Sequence, residues 1–120
     1  MNWKQLTSLS QLEELAKESA TSPVLIFKHS KSCSISSAAL SRLERNWNLD
    51  EKVKTYFLDL LSYRDISNAI AEKFGVPHES PQVLILERGK SVYDCSHFDI
   101  NFKEISKRLQ LAGNKESHLC

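Results

Sequence analysis

Val24-Leu25-Ile26-Phe27 is an unbroken run of β-favouring apolar residues, preceded by Ser22-Pro23 and followed by polar residues. A run without alternation belongs to a strand covered on both faces, so this chain must build layers above and below a central sheet. A few residues later the period changes. From Ser34 onward Ile35, Ala38, Ala39, Leu43 and Trp47 recur at helical spacing, with Arg42, Glu44 and Arg45 on the opposite side. Cys33 therefore stands where a strand segment gives way to the N terminus of an amphipathic helix.

The rest of the chain alternates in the same way. Ser10 followed by Glu13 reads as a capping box ahead of Leu12, Leu15 and Ala16 and predicts a helix over 10–20. Val53 to Leu60 is the next strand. Ser62 with Asp65 is expected to cap a helix whose Ile66, Ala69, Ile70 and Phe74 face inward until Gly75 stops it. The stretch PQVLILERGKSVYDC gives two strands around a turn near Arg88-Gly89-Lys90, and Asn101 with Glu104 opens a last helix carrying Phe102, Ile105 and Leu109. Trp3 to Leu6 offers a short first strand. The order β, α, β, α, β, α, β, β, α requires parallel strands at the crossovers and an antiparallel pair at the tight turn. The fold class is α/β, with a mixed central sheet and helices on both faces.

At 120 residues the chain suits one domain, expected over 1–112 with a flexible tail at 113–120. Sixteen basic against fifteen acidic residues supply no global field for nucleic acid or an anionic membrane. The first residues are too polar for a secretory signal, and no apolar run approaches the roughly 18 residues of a membrane span. Three widely separated cysteines, Cys33, Cys95 and Cys120, argue against a disulfide framework and fit a reducing compartment. A cytoplasmic monomer is expected. His29, His78, His97 and His118 show no zinc-like spacing, so no metal site is assigned.

Two readings of Cys33 are open: a small residue at a cap position, or a nucleophile. The second has a physical basis, because the thiolate is the attacking species in disulfide exchange and a helix N terminus favours an anion. Lys31 and Lys28 add nearby positive charge and are expected to be solvated. Ser36, one turn into the helix, is either an ordinary polar residue or a hydroxyl able to donate to the Cys33 thiolate. His29 is expected to end the strand and His78 to line the loop before Pro81. His97, with Ser96, precedes the last helix, whose free N–H groups either are capped or could hold a carboxylate of a small thiol.

Lys31-Ser32-Cys33-Ser34-Ile35-Ser36 opening a helix after a strand, then Phe74-Gly75-Val76, then Ser80-Pro81 ahead of Val83-Leu84-Ile85-Leu86 and Gly89, resembles the thioredoxin fold over nearly the whole chain. More narrowly, Ser32-Cys33-Ser34-Ile35-Ser36 together with His78-Glu79-Ser80-Pro81-Gln82 is similar to the monothiol bacilliredoxins of the bacillithiol system. Ser34 stands where that pattern more often has Pro. The stretch from Gly75 to Pro81 is one residue longer than in ordinary thioredoxins, which favours the narrower family.

The resemblance implies Cys33 as the catalytic nucleophile and Ser36 in the place of a resolving cysteine. It implies a cis peptide at Ser80-Pro81, and a substrate surface made by Lys31, Ser32, Ser34, Ile35, Ser36, Ser80 and Pro81. The implied reaction removes bacillithiol from S-bacillithiolated proteins, with bacillithiol as co-substrate and no tightly bound cofactor. Three alternatives remain open: an iron-sulfur cluster carrier using a small-thiol co-ligand, a non-catalytic interaction module, and thioredoxin-like reduction through a distant resolving cysteine, Cys95 or Cys120.

Overall fold

The computed structural model describes residues 3–47 and 53–113. In chain order it contains β1 (Lys4–Gln5), α1 (Ser10–Glu18), β2 (Val24–His29), α2 (Ser34–Asn46), β3 (Lys54–Asp59), α3 (Arg64–Phe74), β4 (Gln82–Glu87), β5 (Lys90–Ser96), a 3-10 turn (His97–Asp99) and α4 (Phe102–Gly113). Gly113, expected to begin the tail, instead closes α4. The rest of that segment, with His118 and Cys120, lies outside the described residues.

The apolar run of β2 forms the centre of a five-stranded sheet of order β1-β3-β2-β4-β5. β2 and β1 run parallel to β3, while β4 is antiparallel to both β2 and β5. This is the mixed sheet that the crossovers and the hairpin require. Every residue of β2 is buried. Alternate side chains serve two cores: Val24 and Ile26 pack with Leu12 and Leu15 of α1 and Ile66 and Ile70 of α3. Leu25 and Phe27 pack with Ala39 and Leu43 of α2 and Ile105 and Leu109 of α4. At about 1.5–3 kcal/mol for each fully buried apolar side chain, these four anchor β2 and fix where its C-terminal end, and hence Cys33, emerges. The two-residue turn Arg88-Gly89 has positive φ at both positions (56° and 75°), the geometry that matches strand twist in a tight hairpin.

Three local expectations are corrected. Leu9, not Ser10, is the N-cap of α1, and its helical backbone (φ −65°, ψ −31°) carries Ser10 into the helix, so the Ser10-Glu13 capping box does not form. Gln11 Oε1 takes over by accepting the Thr7 and Ser8 N–H groups at 2.7 and 3.0 Å. Ser62 does not cap α3 either: its hydroxyl donates to Asp59 Oδ2 at 3.0 Å, and Tyr63 is the N-cap. In α2 the inward stripe is Ser36, Ala39 and Leu43, with Ala38 exposed and Ile35 only half-buried. Asn101 does cap α4, its Oδ1 accepting the Glu104 N–H at 2.9 Å. Among the described residues, no helix is long and apolar enough to cross a membrane.

Candidate active site

Cys33 is the N-cap of α2, half-buried, with extended backbone (φ −111°, ψ 119°). Its N–H donates to Ser30 O at 3.1 Å, and its own carbonyl accepts the Ser37 N–H at 3.1 Å. No side chain caps this terminus, and its first turn holds no acidic residue. The positive end of the α2 dipole is therefore directed at whatever anion stands at position 33.

The surrounding side chains are arranged less simply than their order in the chain suggests. Lys31 is exposed and lies 3.6 Å from Asp59 Oδ2, a surface pair of small energetic weight. The Ser32 and Ser30 hydroxyls are 3.3 Å apart. Ser34 is exposed and Ile35 half-buried. Ser36 is fully buried, and its hydroxyl is committed elsewhere: Oγ lies 2.7 Å from His29 Nδ1 and accepts the Ser30 N–H at 3.1 Å. Of the two readings of Ser36, donation to Cys33 is not the one this geometry shows, because the helix phase turns the hydroxyl toward the sheet.

Lys28 is a second correction. Expected in solvent, it is fully buried. β2 continues through His29, and Lys28 faces the α3 side with its Nζ 3.4 Å from His78 Nδ1. Burial pushes the Lys28 amine down to about 8.

Ser80-Pro81 lies at the same end of the sheet as Cys33, because the next residue, Gln82, opposes Lys28 in the β2–β4 ladder. The Ser80-Pro81 peptide is cis. Pro81 is buried, and its carbonyl accepts the His97 N–H at 3.0 Å, tying this loop to the 3-10 turn. Ser80 Oγ is buried without a partner among the described residues. His97 Nε2 is 2.7 Å from Glu79 Oε2, and Phe98 beside it is 77% exposed. His97 thus joins the turn to the loop, and Asn101 caps the α4 terminus beside it through the Glu104 N–H.

Cys95 faces the α2 and α4 core from β5, opposite Val83. It is a free thiol that burial pushes up to about 11, so its thiolate is suppressed at neutral pH. Among the described residues no group of three His, Cys, Asp or Glu side chains is arranged to hold a metal ion.

Several parts of this geometry are not assigned by the sequence. His29 had a signal, since Ser36 shares the helical stripe of Ala39 and Leu43 and a buried hydroxyl needs a partner. The Glu79–His97 pair and exposed Phe98 had none, because they depend on how two loops meet.

The model of the monothiol bacilliredoxin BrxC family matches residues 4–105. A solved structure of a candidate oxidoreductase with a thioredoxin fold is 32% identical, with a TM-score of 0.72, covering 86% of this chain and 89% of that one. Thioredoxin from Fasciola hepatica (17% identity, TM-score 0.68, coverage 91% and 98%) shares the fold. So does the long form of spinach chloroplast thioredoxin f (13%, TM-score 0.72, coverage 93% and 87%). The family match, the thioredoxin-type sheet and a lone cysteine capping α2 agree, and the chain belongs to the monothiol bacilliredoxin family of thioredoxin-fold thiol oxidoreductases.

Proposed function

We propose that this protein removes bacillithiol from protein mixed disulfides through Cys33. The Cys33 thiolate attacks the bacillithiol sulfur, a new disulfide forms between them, and the protein sulfur leaves as a thiolate. A second bacillithiol thiolate then attacks the sulfur of the bound bacillithiol, giving bacillithiol disulfide and returning Cys33 as thiolate. Over the cycle the substrate protein's sulfur is reduced to a thiol, the incoming bacillithiol is oxidised into the disulfide, and no tightly bound cofactor takes part. The partners are S-bacillithiolated proteins and free bacillithiol, met by a cytoplasmic monomer.

The observation that carries this reading is the isolation of Cys33 from other thiols among the described residues. The residue one turn away is a serine bonded to His29, and Cys95 is buried in the core. Among the described residues an adduct on Cys33 has no thiol partner within the active-site motif, which favours release by an external thiol. Exchange of a small thiol has that requirement, whereas reduction of a protein disulfide by a dithiol does not. The bacillithiol identity is supported by the family.

The test is incubation with S-bacillithiolated, glutathionylated and coenzyme-A-modified forms of one model protein, followed by intact mass of this chain. Transfer of bacillithiol to Cys33 in preference to the other two is the expected result. Equal transfer of all three, or none, would contradict the reading.

A further inference from the structure

We propose that His29 and Ser36 are a positioning pair that holds the Cys33 sulfur in its reactive place. The inference rests on Cys33 being the reacting residue, and concerns what fixes it.

The joint between β2 and α2 has two ends. His29 closes β2, Ser36 stands in the first turn of α2, and Cys33 lies between them. Ser36 Oγ serves both sides of the joint. It accepts the Ser30 N–H at 3.1 Å and lies 2.7 Å from His29 Nδ1. A hydroxyl has one proton and two lone pairs. With Ser30 on one lone pair, the arrangement that leaves no buried polar atom of this pair unmatched has the Ser36 proton donated to Nδ1. His29 is then the neutral tautomer protonated on Nε2. The residue is buried and its ring sits 6.1 Å from the Phe27 ring and 5.3 Å from the Phe57 ring, which restricts its rotation. Burial lowers its affinity for a proton, while Asp59 and Glu44 pull the other way.

Cys33 is held inside this frame. Its N–H donates to Ser30 O, so Ser30 is fixed at both backbone groups, by Ser36 and by Cys33. Ala39 and Leu43 anchor the rest of α2 in the core. Loss of the Ser36 hydroxyl or the His29 acceptor should therefore loosen the cap residue and leave the helix in place. Misplacing a reacting atom by about 1 Å can cost on the order of a hundredfold in rate.

The experiment measures bacillithiol transfer to Cys33, as kcat and KM separately, with thermal melting in parallel. The set is Cys33→Ser, His29→Phe, His29→Asn, Ser36→Ala and the His29→Phe/Ser36→Ala double variant. Phe fills the aromatic slot without an acceptor; Asn returns an acceptor near the place of Nδ1. We expect His29→Phe and Ser36→Ala each to lower kcat by about ten- to a hundredfold with KM little changed. The double variant should be no worse than either single one, as for groups acting as a unit, and His29→Asn should recover part of the loss. Transfer that survives Cys33→Ser would overturn the reading on which the inference rests. Transfer abolished by Cys33→Ser but undiminished in His29→Phe and Ser36→Ala would overturn the inference alone.

Discussion

Lys28 Nζ lies 3.4 Å from His78 Nδ1, and the same imidazole nitrogen is 3.0 Å from the Ser67 hydroxyl. One imidazole nitrogen thus stands between polar groups of β2 and α3 and ties both to the segment leading to Pro81. Lysine is almost never fully buried without a charged partner. Here its hydrogen-bond partner is a histidine: burial lowers Lys28 to about 8, and burial followed by the Lys28 and Arg64 charges lowers His78.

Stability should therefore rise with pH across the interval from about 8 to 10.5. In that interval the unfolded chain keeps the Lys28 proton and the folded chain releases it, so the folded state gains as pH increases, by on the order of 3 kcal/mol in all. Lys28→Met should be more stable than wild type at pH 7, and its advantage should shrink toward pH 10.5. Urea unfolding of both proteins at several pH values gives the difference directly. That difference isolates Lys28, since Tyr93 and Cys95, raised to about 12 and about 11, titrate in both proteins. A constant difference across the interval would contradict the assignment.

On the acid side the sign is the same and the groups are His29 and His78, both lowered from 6.5. Their contribution is fully present above 6.5 and is lost as pH falls through their lower folded values. Protonation of His78 removes the ring's acceptor lone pair and sets a second positive charge beside Lys28. Melting temperatures between pH 7.5 and 5 should fall less steeply for His78→Gln than for wild type, and equal slopes would count against this role.

Burial makes Cys95 a silent thiol. Iodoacetamide at pH 7.5 should label Cys33 in the native protein and reach Cys95 only after unfolding in urea, as peptide mapping of the two states would show. Cys95→Ser should leave transfer of bacillithiol to Cys33 intact. Native labelling of Cys95 at a rate close to that of Cys33 would refute its confinement in the core.

Phe98, 77% exposed, projects from the turn whose His97 is bonded to Pro81 and Glu79. An exposed aromatic beside the reactive end of the sheet is suited to contact a protein substrate. Phe98→Ser should raise KM severalfold for a bacillithiolated protein and leave reaction with a small bacillithiol disulfide unchanged. The same effect on both substrates would argue against a protein contact.

The sheet and its helices were legible because β2, β3 and β4 are written in β-favouring apolar residues and the helices in clear stripes. Cys33 was legible for a related reason, the change of period at Ser34. What was not legible turns on direction. Ser36 looks like a neighbour of Cys33 along the chain, but the phase set by Ala39 and Leu43 sends its hydroxyl to His29. Lys28 reads as a polar strand end, yet pairing with Leu58 and Gln82 carries β2 on through His29 and keeps the lysine inside. The capping residues failed where the backbone entering the helix, at Leu9, was already helical.

The most direct test of the central claim is the lifetime of the adduct on Cys33. Wild-type protein is mixed with an S-bacillithiolated protein in the absence of free thiol, and its intact mass is followed over time. A single bacillithiol adduct on Cys33 that persists until bacillithiol is added is the result the one-cysteine mechanism predicts. Rapid loss of the adduct without added thiol, with an intramolecular disulfide in its place, would contradict it.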